Sequence, residues 1–316
     1  MQVQRGFALS LPLYTVLTLA IVLGHVPATH PRALGFNAVA FAAQFAASAS
    51  YNITYAPSVS DYSRYLPYDT RPRNIIAAVF TGAASSAIWL IALGAWLAAH
   101  LGVSDGLVAL HDAGNSLMRG FGTLLAIASV IALVATMGLN AYSGMLTIVT
   151  GLSSFIELKP TARLRVIAIA VLALAWLAIS FMVTGDAIEL VYAVLTMMLY
   201  LLVPWTAVNL VDYFFVRRGR YAITQLFTPQ GIYGAWSLRG LAAYGIGFAS
   251  TMPFFVLPNY YVGPAARALD GIDIGWLVGL IVSAAVYLLM SRSFDPAIET
   301  DAVAASDAAL GIDHRH

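Results

Sequence analysis

Three clusters of side chains have the types and spacing to do chemistry on a small polar molecule. The first is Ser48-Ala49-Ser50-Tyr51-Asn52-Ile53-Thr54-Tyr55-Ala56-Pro57. Two phenols flank a carboxamide there, so an aromatic face and an amide edge lie close together. A polar run ending in proline inside an apolar stretch reads as a break in a helix, whose freed backbone groups can point at a ligand. The alternative is a proline kink whose polar groups pair with neighbouring helices. The second cluster is Thr136-Met137-Gly138-Leu139-Asn140-Ala141-Tyr142-Ser143-Gly144. Thr136, Asn140 and Ser143 lie three or four apart and share one helix face. Such a face also serves as glue between helices, with Gly138 and Gly144 permitting close approach. The third is Asn209-Leu210-Val211-Asp212-Tyr213 followed by Arg217-Arg218-Gly219-Arg220-Tyr221. Asp212 is placed to pair with an arginine such as Arg217, and Asp61 with Arg64 ends the first cluster's stretch in the same way. Both read as ion pairs at the end of a span, or as a gate if the pair opens and closes.

Other chemistries find little support. The chain has no cysteine, which removes disulfides, thiolate nucleophiles and cysteine metal sites. His25, His30, His100, His111, His314 and His316 form no HExxH or similar ligand spacing, so no metal and no cofactor is expected. A phosphate loop of the GxxxxGK[ST] type is absent, and no catalytic dyad is visible inside the apolar runs, which argues against an ATP-driven pump or an enzyme. A net charge of +1 with no basic run interleaved with aromatics makes nucleic acid an unexpected partner.

The elements that must position these clusters are membrane helices. Hydrophobic residues make up 60% of the 316 and charged residues 10%, against about one-quarter charged in a soluble domain. Mean hydropathy is +0.81. The apolar residues fall into runs near 7–26, 36–66, 74–99, 118–151, 164–184, 187–215, 238–258 and 274–291, each long enough to cross hydrocarbon. This predicts an all-α, polytopic membrane protein of about eight spans. The first run could instead be a secretory signal, although Pro12, Tyr14 and the lack of an A-x-A site favour a spanning helix. With alternating spans, one side of the membrane receives 13 of the 16 Lys and Arg, and the other only Arg32, Arg119 and Arg267. That bias places both termini in the cytoplasm. A transmembrane domain over 1–292 is then followed by a cytoplasmic tail, 293–316, whose scattered acids among alanines predict disorder or a weak helix.

Three segments together resemble the purine/cytosine permease family, the nucleobase:cation symporters. They are Tyr55-Ala56-Pro57 with Asp61-Tyr62-Ser63-Arg64-Tyr65; Gly138-Leu139-Asn140-Ala141-Tyr142-Ser143-Gly144; and Asn209 to Tyr213 with Val216 to Tyr221, Gly231-Ile232-Tyr233-Gly234, Trp236 and Arg239-Gly240. The resemblance implies a partial leucine-transporter-like inverted-repeat fold, with this chain matching helices five to twelve and the first four helices lacking. It implies secondary transport, across the plasma (cell inner) membrane, of a nucleobase-like heterocycle such as cytosine, a purine, uracil or allantoin. Tyr51, Asn52 and Tyr55 would form the wall contributed by the sixth helix. Asn140 would read the ring edge from the eighth helix, with Gly144 aligned where some members carry a second amide. Sodium-coupled members place two hydroxyl residues where this chain has Gly138 and Leu139, with Thr136 nearby on another register. Neither Gly138 nor Leu139 can offer a side-chain oxygen, so the coupling ion is left between H+ and Na+, leaning towards H+ or an altered cation site. The expected partners are the heterocycle and the bilayer. The competing expectation is a truncated, non-transporting remnant of such a permease.

Overall fold

The computed structural model describes residues 2–27, 35–58, 66–67, 70–103, 105–153, 155–156, 161–182, 187–228, 230–257 and 259–311. The chain divides into two compact units, Met1–Gly35 with Pro57–Asp186, and Phe36–Ala56 with Ala187–His316.

The first unit contains α1 (Gln2–Val22), α3 (Pro72–Leu101), α4 (Gly106–Leu117), α5 (Phe121–Ser153) and α6 (Ala162–Met182). The second contains α2 (Ala38–Tyr55), α7 (Ala187–Val211), α8 (Leu238–Thr251), the short α9 (Pro264–Ala268), α10 (Gly275–Met290) and α11 (Thr300–Leu310). A two-stranded antiparallel ribbon, β1 (Val256–Leu257) and β2 (Tyr261–Val262), follows α8.

Helix ends follow local chemistry. Pro72 opens α3, where its missing N–H costs nothing, and Gly102 closes it in the left-handed region. Asn37, Asp105 and Ser237 accept hydrogen bonds from the first-turn amides of α2, α4 and α8. The turn from α4 to α5 is held by Asn115, whose Oδ1 accepts from the N–H groups of Gly120 and Gly122 at 3.1 and 3.2 Å.

In the first unit Leu17, Leu93, Leu97, Ala113, Phe121 and Leu125 form a buried core where α1, α3, α4 and α5 meet. Polar side chains cross-link it: Trp89 Nε1 donates to Thr18 Oγ1 at 2.9 Å, and Tyr14 shares a 2.7 Å hydrogen bond with Ser129. In the second unit α10 packs against α8 and α7, and α2 lies along α7. Small residues let these backbones approach: a Cβ at Gly247 of α8 would sit 1.7 Å from Ser283 Oγ of α10.

Each predicted apolar run carries a helix. Among the described residues four, Pro72–Leu101, Phe121–Ser153, Ala162–Met182 and Glu189–Val216, are long and apolar enough to cross a membrane, while Ser10–Val22 and Gly275–Met290 are shorter. The structure is therefore that of an all-α membrane protein.

One feature differs from the sequence expectation. The polar run beginning at Ser48 does not break α2, which stays α-helical through Tyr55 and tightens to a 3-10 turn only at Ala56–Ser58. Helix α4 lies between two of the predicted spans. The tail, for which disorder or a weak helix was expected, is helical over residues 296–310, with Glu299 and Ser306 buried in it.

Candidate functional site

Helix α2 survives its polar run because each side chain satisfies a carbonyl of its own helix. Ser48 Oγ donates to Gln44 O, Ser50 Oγ to Ala46 O, Asn52 Nδ2 to Ser48 O and Thr54 Oγ1 to Tyr51 O, all at 2.8 to 2.9 Å. Back-bonding of this kind removes the need for outside partners and leaves the ladder intact. Tyr51 and Tyr55, four residues apart, stand on one face and are 54% and 41% exposed. Asn52 is exposed beside them.

On α5, Thr136 Oγ1 donates to Ala132 O at 2.9 Å, and the space around Gly138 is open. Leu139 is half-buried and Asn140 exposed. Ser143 Oγ is buried without a hydrogen-bond partner, one of three such side-chain atoms among the described residues. A Cβ at Gly144 would meet Leu172 of α6 at 2.9 Å, so this glycine serves close helix packing. Tyr51, Asn52 and Tyr55 thus belong to one unit, and Thr136, Gly138, Leu139, Asn140 and Gly144 to the other. Asp61 and Arg64 lie outside the described residues.

The third cluster forms a dense polar network. After Val211 the helix loosens into a π-turn over Asp212–Val216, closed by Arg217 N donating to Asp212 O at 2.8 Å. Arg217 Nη1 meets Asp212 Oδ1 at 2.5 Å, with both side chains less than one-fifth exposed. Asp212 also accepts from Tyr221 and from Tyr287 of α10, each at 2.7 Å. Burial works against the Arg217 charge, but the Glu299 hydrogen bond and the Asp212 carboxylate outweigh it and hold the guanidinium above its ordinary pKa. Burial, followed by the bond to Asp212, likewise raises the Tyr221 phenol. Beside the network opens a cavity of 810 Å³ whose lining includes Trp205, Asn209, Asp212, Arg217, Trp236 and Tyr244.

Two functional-looking groups escaped the sequence reading. Glu299, taken there as one of several scattered tail acids, grips Arg217 from 82 residues away. Asp273, 6% exposed, accepts from Tyr200 OH at 2.8 Å and from Gly275 N at 3.0 Å. Its one legible signal was a carboxylate two residues before an apolar helix, within reach of the helix's first N–H. Among the described residues no group of three His, Asp or Glu could hold a metal ion.

The motif segments sit within a longer match: residues 5–279 fit the sequence profile of the family described as permease for cytosine/purines, uracil, thiamine, allantoin. The chain belongs to this family. Among its members, a putative purine-cytosine permease, YxlA, of Bacillus subtilis (strain 168) is 32% identical over 255 residues, covering 80% of this chain and 54% of the relative. An allantoin permease of the same organism is 32% identical over 109 residues, 34% of this chain and 21% of the relative. The transporter aclS of Aspergillus oryzae (strain ATCC 42149 / RIB 40) is 28% identical over 102 residues, 29% of this chain and 16% of the relative. The chain thus spans about half the length of the first of these relatives and less of the others. No solved structure gives a significant match. The family and these relatives are transporters, not enzymes.

Proposed function

We propose that this chain carries a nucleobase-like heterocycle across the plasma membrane by secondary active transport. The observation that carries the reading is the family match over residues 5–279. Tyr51 and Tyr55 on one face of α2 offer a stacking wall, and the Asn52 and Asn140 carboxamides suit the alternating donors and acceptors of cytosine, purine, uracil or allantoin rings. About eight spans forming part of a leucine-transporter-like inverted-repeat fold, with both termini in the cytoplasm, belong to this proposal, supported by the eight helix-bearing runs and the lopsided distribution of Lys and Arg. Coupling to H+ is favoured over Na+ because Gly138 and Leu139 supply no side-chain oxygen for a hard cation.

The test is uptake of radiolabelled cytosine, uracil, hypoxanthine and allantoin into proteoliposomes, with imposed pH or sodium gradients. Uptake driven by the pH gradient is expected for at least one of the four. Asn140→Ala and Tyr51→Ala should each raise KM about tenfold, the worth of one well-made contact. No uptake under either gradient would overturn transport, and unchanged KM in both variants would overturn the site assignment.

A further inference from the structure

Arg217 is the meeting point of four parts of the chain. Its Nη1 holds Asp212 in the π-turn that ends α7, while its Nε and Nη2 grip the two oxygens of Glu299 at 3.1 and 3.2 Å. That is a two-pronged guanidinium–carboxylate pair, the geometry in which arginine binds a carboxylate most strongly. The faces of Tyr221, Tyr233 and Phe294 surround the same cation, with ring centroids 5.7, 5.2 and 4.9 Å from Cζ. Asp212 in turn receives the Tyr287 hydroxyl, which ties in α10.

Glu299 is carried to this point by the segment that follows α10, and Tyr233 OH also donates to its Oε2 at 3.4 Å. Helix α11 is 11 residues long, mostly alanine and acids, and a helix that short is marginal in water without tertiary contacts. It is also held at Ser306, 1% exposed, which accepts from Thr224 N at 3.1 Å. Removing Glu299 would leave the Arg217–Asp212 pair in place, so the end of α7 would keep its counter-ion while the strap would lose its carboxylate anchor. This asymmetry makes Glu299 a fastener rather than a support of the bundle.

We propose that Glu299 is a positioning residue for transport. It fastens the C-terminal segment, residues 295–310, across the arginine turn, and the strap holds the ends of α7 and α10 together as one body during the transport cycle. The proposal rests on the permease reading. Alternating access requires one group of helices to move against another, and a strap acting on helix ends bears on the rate of that motion rather than on the substrate pocket.

The chain has no cysteine, so Ser306→Cys introduces a single thiol in a buried part of the strap. In the purified protein, maleimide labelling of that thiol is expected to be slow. Adding Glu299→Gln should speed it about tenfold or more, as losing a charge-assisted hydrogen bond to a half-buried cation implies. Asp301→Asn, the same loss of charge on an exposed strap residue, should leave the labelling rate unchanged. In proteoliposomes, Glu299→Gln should lower the Vmax of radiolabelled uptake about threefold or more at unchanged KM, as expected where a conformational step limits turnover. Arg217→Lys, which keeps the charge and loses the fork, should do the same. Labelling that Glu299→Gln does not accelerate overturns the strap. Accelerated labelling with unchanged Vmax overturns its part in transport. A parent chain that takes up none of the heterocycles overturns the permease reading, and the positioning role with it.

Discussion

Tyr200→Phe tests the buried chemistry of the second unit most directly. The Tyr200 hydroxyl does two jobs at once: it donates to Asp273 Oδ2 at 2.8 Å and accepts from Val256 N at 2.9 Å. The side chain is 0% exposed and its ring stacks on Phe255, with centroids 4.2 Å apart. Replacing it by phenylalanine keeps the stack and the packing but leaves a carboxyl oxygen and a backbone N–H without this partner, where water has poor access. Each such group costs about 1–3 kcal/mol, so the pair should cost about 2–6 kcal/mol, towards the lower end because Asp273 keeps its bond from Gly275. The ribbon β1–β2 should loosen first, since Val256 begins it. The assay is thermal unfolding of the detergent-solubilised protein, followed by tryptophan fluorescence. Tyr192→Phe serves as the reference, because Tyr192 is half-buried and the bond from its hydroxyl to Ala43 O is long, 3.3 Å, so the loss should cost under about 1 kcal/mol. Combining Tyr200→Phe with Asp273→Asn should be non-additive by about 1 kcal/mol or more. If Tyr200→Phe proves no more damaging than Tyr192→Phe, the hydroxyl bridge contributes nothing and the reasoning fails.

Burial, opposed by the bonds from Tyr200 and Gly275, raises the Asp273 carboxyl above its ordinary value of 3.8. A folded-state pKa above the unfolded one means that its favourable contribution is complete below the unfolded pKa and is lost as pH rises through the folded one. Unfolding measured at stepped pH should therefore show the parent losing stability relative to Asp273→Asn as pH climbs from about 4, and parallel curves would contradict this. Gly247→Ala should cost about 1–3 kcal/mol, because the new methyl meets Ser283 Oγ at 1.7 Å and Ser283 Cα at 3.2 Å; Ser283→Ala should recover part of the loss. Gly144→Ala should be milder, under about 1 kcal/mol, since the methyl meets only the flexible end of Leu172; equal losses at the two glycines in the same unfolding assay would count against the distinction.

The helices were legible in the sequence because a helix in an apolar medium satisfies its backbone locally, so a run such as 121–153 needs no distant partner to declare itself. The pairing of Asp212 with Arg217 was legible for the same reason, since the two stand five residues apart. The break expected in α2 was misread because Ser48, Ser50, Asn52 and Thr54 look like demands on a neighbour, whereas each is met one turn back on its own helix. Their type was visible, but the rotamer that satisfies them was not. Asp273 with Tyr200 and Glu299 with Arg217 lie beyond local reading, at separations of 73 and 82 residues. Nothing in composition or periodicity links such positions. Only the packing of α7 against α10 and the return of the chain after α10 bring them within hydrogen-bond range. Sequence alone determined that this is an all-α membrane protein of the permease family, with charged residues gathered at the end of α7. Tertiary structure decided which carboxylates those residues meet, because a buried charge is partnered by whatever the fold delivers to it.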